Sequence, residues 1–189
     1  MREQILLSAA QLFIEHGYCG LSMRQIAESV GVTKAALYYH FKDKEELFLS
    51  ILEAYLERVE ALIINIQSEE TTCRQRINML IRRILGQPVD QRAIIRLASQ
   101  EMAHLNAETR RIFGDLYHSR FIHRIENMLE SGIHSGELKF VDPKIATWSL
   151  LGMMYPYFYP VHSNEISLSE ETIDQLVDIY LDGVAKIST

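Results

Sequence analysis

Along this chain apolar residues recur every three or four positions, and alternation at every second position is hard to find. That is the spacing of one face of an α-helix. From Arg2 to His16 the face is Ile5, Ala9, Leu12, Phe13 and His16, and Gly17 is a suitable stop. Ser22 opens a second helix, with Gln25 spaced for a reciprocal capping box and Ile26, Ala27 and Val30 as its apolar side. Gly31-Val32 breaks it. Thr33 caps a third helix, Lys34 to Phe41, whose Leu37 and Phe41 are four apart and face inward. Asp43 caps a fourth, with Glu46 at its third position, and this helix runs on through "ELFLSILEAYLERVEALIINI", about six turns.

The second half continues in the same period. One helix is expected from Cys73 to Leu85, ending near Gly86 and Pro88, and another from Arg92 to Leu105. Asn106 opens a long one to about His134, with Ile112, Phe113, Leu116, Tyr117, Ile125, Met128 and Leu129 inside and Gly132 and Gly136 closing it. Asp142-Pro143 is a cap followed by proline at the first helical position. The helix it starts, "KIATWSLLGMMYPYFYPV", is apolar nearly all round and holds Pro156 near its end. Ser169 begins the last helix, striped by Ile173, Leu176, Val177, Tyr180, Leu181 and Val184. The expectation is an all-α protein without internal repeats. A three-helix N-terminal domain covers residues 1–48 and a larger helical domain covers 49–189.

Composition narrows the class. The 189 residues are 48% hydrophobic, enough to bury a core. No window approaches the ~18 consecutive apolar residues of a membrane span. The first residues lack the apolar run and cleavage site of a signal peptide. Cys19 and Cys73 are therefore read as reduced thiols in a cytoplasmic protein. The net charge of −6 argues against a general nucleic-acid coat. Yet between Ser22 and Lys44 four bases (Arg24, Lys34, Lys42, Lys44) face only two acids (Glu28, Asp43). A small basic footprint on an acidic body can hold DNA at short range, in a salt-sensitive way.

Helix two, the glycine turn and helix three fit a helix-turn-helix. With Leu37 inward, a helical wheel turns Ala35, Tyr39 and Lys42 outward, flanked by Ala36 and Tyr38. Small residues let a helix backbone sit deep in a major groove, and alanine can meet a thymine methyl. Lys34 can reach base edges or a phosphate. The Tyr38 and Tyr39 hydroxyls and His40 can donate to phosphate oxygens, and Lys44 offers an ammonium in the first turn of helix four. Ser22, Arg24 and Thr33 complete the candidate DNA-binding set. Ser22 and Thr33 serve equally as caps, and Arg24 and Lys42 equally as solvated charges.

The stretch "GLSMRQIAESVGVTKAALYYHFKDKEELF" resembles the DNA-binding region of the TetR (tetracycline-repressor-like) family. The matching elements are Gly17-Tyr18, Ser22, Ile26-Ala27, Gly31-Val32, Leu37-Tyr38, Tyr39-His40-Phe41 and Lys42-x-Lys44-Glu45-x-Leu47, within about Arg2 to Leu52. Ala35 departs from the pattern, since many members carry glycine there. The resemblance implies a homodimer that binds a palindromic operator in double-stranded DNA, represses transcription and is released by a small-molecule effector. It also implies pairing through the last two helices, here about Asp142–Tyr159 and Ser169–Ala185. The residues support such pairing independently. A helix apolar all round beside an amphipathic one has more apolar surface than a small subunit readily covers, and Gly152 allows close approach.

Met102, Phe113, Tyr117, Phe121, Trp148, Met154, Tyr155 and Phe158 are candidate effector-pocket residues, because aromatic and methionine side chains suit an adaptable apolar pocket. The same residues serve as readily as plain core or dimer interface. Glu101 and His104 have the Glu-x-x-His spacing of di-iron bundles, but only one copy of the motif is present. No metal, cofactor or catalytic constellation is expected, and the protein is read as not an enzyme. The rival readings are a helical-bundle enzyme or metal protein, and an adaptor that does not use DNA.

Overall fold

After the first helix, which has no side-chain cap, each helix that starts within the first fifty residues does so where a side chain satisfies an otherwise orphaned backbone N–H. The computed structural model of the chain describes residues 1–159 and 168–184. Helix α1 is Arg2–His16, and Gly17 ends it at φ 70°. For α2, Met23–Val30, the Ser22 hydroxyl accepts from the Gln25 amide at 3.3 Å, while the Ser22 amide donates to Gln25 Oε1 at 3.0 Å. Gly31 follows at φ 77°, a left-handed conformation that costs glycine least. Thr33 Oγ1 accepts from Ala36 at 3.0 Å to open α3, Lys34–His40, and Phe41 is its C-cap. Asp43 Oδ1 accepts from Glu46 at 2.8 Å to open α4, Lys44–Ser68.

Then come α5, Cys73–Leu85, with a second capping box from Thr72 and Gln75, and α6, Val89–Glu101. A 3₁₀ turn, Met102–His104, leads to α7, Ala107–Tyr117. A π-helical turn, His118–Ile122, leads to α8, His123–His134. Helix α9 is Pro143–Met154, followed by a 3₁₀ turn, Tyr155–Phe158, and α10 is Glu170–Val184. The described residues contain no strand, so the fold is all-α.

Three expectations are corrected. Helix α6 begins at Val89, directly after Pro88, and ends at Glu101 rather than Leu105. A proline just before a helix costs nothing, because the first N–H groups have no intrahelical partner anyway. The long helix expected from Asn106 to His134 is two α-helices joined by the π turn, and Gly132 lies inside α8 rather than closing it. The helix after Pro143 passes into a 3₁₀ turn at Tyr155, because Pro156 has no N–H for the α-ladder. Pro160 and Val161 of that stretch, and Ala185, lie outside the described residues.

The chain forms two compact units: residues 1–58 with 89–117, and 59–88 with the chain from 118 onward. In the first, α1, α2, α3 and the start of α4 close over Phe13, Ile26, Leu37, Phe41, Leu47 and Phe48, each 1% exposed or less. Tyr18 joins this core through ring contacts with Phe13 and Phe48. Helix α6 packs on α1, and Glu101 lies close enough that a Cβ at Gly17 would meet its Oε1 at 3.0 Å. In the second unit α5 packs on α8 and α10, and α9 packs on α8 and α10. At the α5–α8 crossing, a Cβ at Gly132 would come within 2.8 Å of Cys73 Cβ and closer still to its sulfur. Burial holds the Cys73 thiol up at about 11. Cys19, the other free cysteine, is exposed.

Candidate nucleic-acid interface

The outward face of α3 rests on two buried side chains. Leu37 is fully buried and Phe41 is 1% exposed, which fixes the helix's rotation. Lys34, Ala35, Tyr38, Tyr39 and Lys42 are exposed, and Ala36 and His40 are half-buried. Tyr39 is the most open of the aromatics here, at 85%. Lys34 Nζ stands 5.6 Å from the Tyr38 ring centroid, a cation–π contact one helical turn apart. His40 sits between the Tyr39 and Phe41 rings, and its Nε2 is buried without a hydrogen-bond partner, so that nitrogen does not face outward.

The flanking candidates are already engaged. The Ser22 hydroxyl also donates to Gln25 Oε1 at 2.7 Å, and Thr33 serves as the α3 cap. Arg24 is exposed and pairs with Glu28 at 3.2 Å. Lys44 differs most from its expected place. Its ammonium donates to the Tyr18 carbonyl at 2.7 Å and the Leu21 carbonyl at 2.9 Å, and stands 4.1 Å from the Tyr18 ring centroid. An ammonium has three N–H donors, so two are spent inside the chain on the loop between α1 and α2. The Lys44 ammonium thus fastens that loop in this structure, with its third N–H left for an outside acceptor.

Two supporting residues escape a motif reading. Arg2 donates to Ser50 Oγ at 3.2 Å and lies 5.1 Å from the Phe41 ring centroid, so it straps the chain's start to the end of α3. Glu45 Oε1 accepts from the Asn106 amide at 2.6 Å, ahead of α7. Neither contact has a periodic signal, because each joins residues far apart in sequence. Burial, then the nearby Glu45, Asp43 and Cys19, holds the Tyr18 phenol up at about 12.

Two family models match. Residues 5–51 match that of bacterial regulatory proteins of the tetR family, and residues 70–157 match a tetracyclin repressor-like C-terminal domain. The chain belongs to the TetR family of transcriptional regulators. The activator FasR of Mycolicibacterium smegmatis is 32% identical over 80 residues, 42% of this chain and 36% of its own. The match thus spans about a third of that relative. The fatty acid metabolism regulator protein of Bacillus subtilis is 24% identical over 154 residues, 79% of this chain and 77% of its own. Among solved structures, AibR in complex with isovaleryl coenzyme A and operator DNA superposes with a TM-score of 0.75. It is 25% identical, covering 94% of this chain and 96% of AibR.

The helix-turn-helix is thus the DNA-binding element of a TetR regulator. The candidate effector residues of this TetR chain divide between the units. Met102, Phe113 and Tyr117 belong to the first, all half-buried, with the rings of Phe113 and Tyr117 stacked 6.1 Å apart between centroids. Phe121, Trp148, Met154, Tyr155 and Phe158 belong to the second. There Met154 and Phe158 are buried, while Trp148 and Tyr155 are exposed on α9 and in the turn after it. No helix among the described residues is long and apolar enough to cross a membrane.

Proposed function

We propose that this TetR regulator is a cytoplasmic homodimer that represses transcription from a palindromic operator and is released by an acyl-coenzyme A thioester. The observation that carries the DNA half is the α3 face. Lys34, Ala35 and Tyr39 stand exposed above the buried Leu37 and Phe41, so a small-residue surface with a cation and a phenol is offered at fixed rotation. On this reading Lys34, Ala35 and Ala36 meet base edges, while Tyr38, Tyr39 and Lys42 meet the backbone with Ser22, Arg24 and Thr33 at its flanks. Residues 1–48 form the DNA-binding domain and 49–189 the effector and dimerisation domain.

Dimerisation through α9 and α10 is supported by an apolar stripe that the single chain leaves open. Ile145, Trp148 and Tyr155 are 62%, 53% and 45% exposed, and Ile179 on α10 is 65% exposed. Gly152 lies among them with open space around it. The effector class is suggested by AibR, whose complex holds isovaleryl coenzyme A, and by the Bacillus subtilis regulator of fatty acid metabolism.

The test is selection of binding sites from random duplex DNA by the purified protein at near-physiological salt, followed by titration of isovaleryl coenzyme A into the complex. The expected site is a palindrome with half-sites ~34–36 Å apart. A hundredfold loss of affinity on adding the thioester corresponds to about 2.7 kcal/mol of coupling, within the usual range. Recovery of no site from protein stripped of ligand by unfolding and refolding refutes the DNA reading. A recovered site that ignores the thioester refutes only the effector class.

A further inference from the structure

The first turn of α4 grips two different parts of the chain with two adjacent residues. Lys44 holds the α1–α2 loop by the Tyr18 and Leu21 carbonyls, and Leu21 directly precedes the Ser22 cap of α2. Glu45 holds the entry to α7 by the Asn106 amide, across 61 residues of sequence. Asn106 is itself the cap of α7, its Oδ1 accepting from the Thr109 amide at 2.9 Å, and Thr109 is buried. The segment just before it touches α1 as well, through Glu101 against Gly17. All of these residues belong to one compact unit.

We propose that Glu45 is a positioning residue that couples the start of α7 to the DNA-binding helices, so that operator and effector are read against each other through its carboxylate. The inference rests on the regulator reading above. A carboxylate at a helix entry accepts a charge-assisted hydrogen bond and meets the positive end of the helix dipole. Displacing the α7 entry therefore pulls on Glu45, and the rigid first turn carries the pull to Lys44, the Leu21 carbonyl and the cap of α2. Coupling of this kind is reciprocal: whatever an effector does to operator affinity, the operator does to the effector.

Reciprocity allows a test that needs no effector. Amide exchange of the full chain is followed with and without its selected operator duplex. In the unaltered protein, operator is expected to change exchange at residues 106–110 by about threefold or more. In Glu45→Ala that change falls below half, while protection of residues 23–40 and operator affinity stay within about threefold of the original. Glu45→Gln keeps an Oε1 acceptor and restores most of the change. Retention of the full change in Glu45→Ala overturns the proposal, as does its absence from the unaltered protein. Titration with isovaleryl coenzyme A gives a second readout: the thioester-induced loss of operator affinity shrinks about tenfold in Glu45→Ala. If the unaltered protein ignores that thioester, the effector class fails and the exchange result alone decides the role of Glu45.

Discussion

At Lys44 the motif and the surroundings compete for one ammonium. The motif fixes its place in the first turn of α4, and the backbone of Tyr18 and Leu21 fixes its direction. Sequence spacing reveals the first and not the second, because a carbonyl 26 residues away leaves no periodic trace. Lys44→Met removes two charge-assisted hydrogen bonds and should lower folding stability by about 1.5–3 kcal/mol, read from the urea midpoint. The salt dependence of operator binding should not change. A slope reduced by about one unit would mean that Lys44 neutralises a phosphate after all. Tyr39 gives the opposite expectation. At 85% exposure it touches little beyond the His40 ring in the free chain, so Tyr39→Ala should leave the melting temperature within a degree or two, near the ~0.5 kcal/mol of an ordinary surface change, yet weaken binding to every sequence alike. The caps at Ser22, Thr33 and Asp43 were legible because each involves residues three apart.

Among the elements, caps and stripes were enough for α1 to α5 and failed where the period changed. In the gap between Tyr117 and Ile125 a π turn makes Ile122 the fully buried residue, whereas Phe121, at the α-helical spacing of four from Tyr117, is only half-buried. A stripe drawn from both sides of that gap reads as one helix unless the extra residue is counted. Gly132 misleads in another way. A glycine near a helix end suggests a stop, but this one makes room for Cys73 where α5 crosses α8. Gly132→Ala should therefore destabilise the protein by about 1–3 kcal/mol through overpacking, although alanine is the better helix former. Adding Cys73→Ala should recover part of the loss, because it removes the sulfur that the new methyl strikes. Full additivity of the two losses in urea unfolding would show that the crossing is not the cause.

For the whole molecule, the all-α class and the exposed face of α3 followed from periodicity, whereas the division of the candidate pocket residues between two units depends on packing that no period encodes. Alkaline stability follows from burial. Cys73 is held up at about 11, and Tyr18 and Tyr117 at about 12. Raised values mean that the fold favours the protonated forms. Their stabilisation is complete below the unfolded values, near 8.5 and 10, and is lost as pH climbs through the folded ones. The urea midpoint should therefore decline from about pH 9 toward pH 12, and a midpoint that rises over that window would contradict this origin. The exposed stripe makes a prediction at the same scale. Trp148→Glu should shift the protein to monomer on size-exclusion chromatography and lower operator affinity at least about tenfold, whereas a retained dimer would move the pairing surface elsewhere.

The way α10 lies on α5 has a consequence for alignment. Arg82 clasps Glu170 and Asp174, and Arg74, two turns away, clasps Asp178 and Asp182 at 3.6 and 3.8 Å. Acids repeated every four residues form a rail. Slide α10 by one turn, about 5.4 Å, and Arg82 meets Asp174 and Asp178 just as well. Such pairs, mostly in water, contribute little each and do not distinguish one notch from the next. At the observed notch the buried Tyr180 hydroxyl donates to the Ala146 carbonyl at 3.1 Å, and Ile173, Val177 and Leu181 are buried on the same helix. Burial of that phenol and its apolar neighbours thus acts as the detent of a helix that charge alone would leave free to ride.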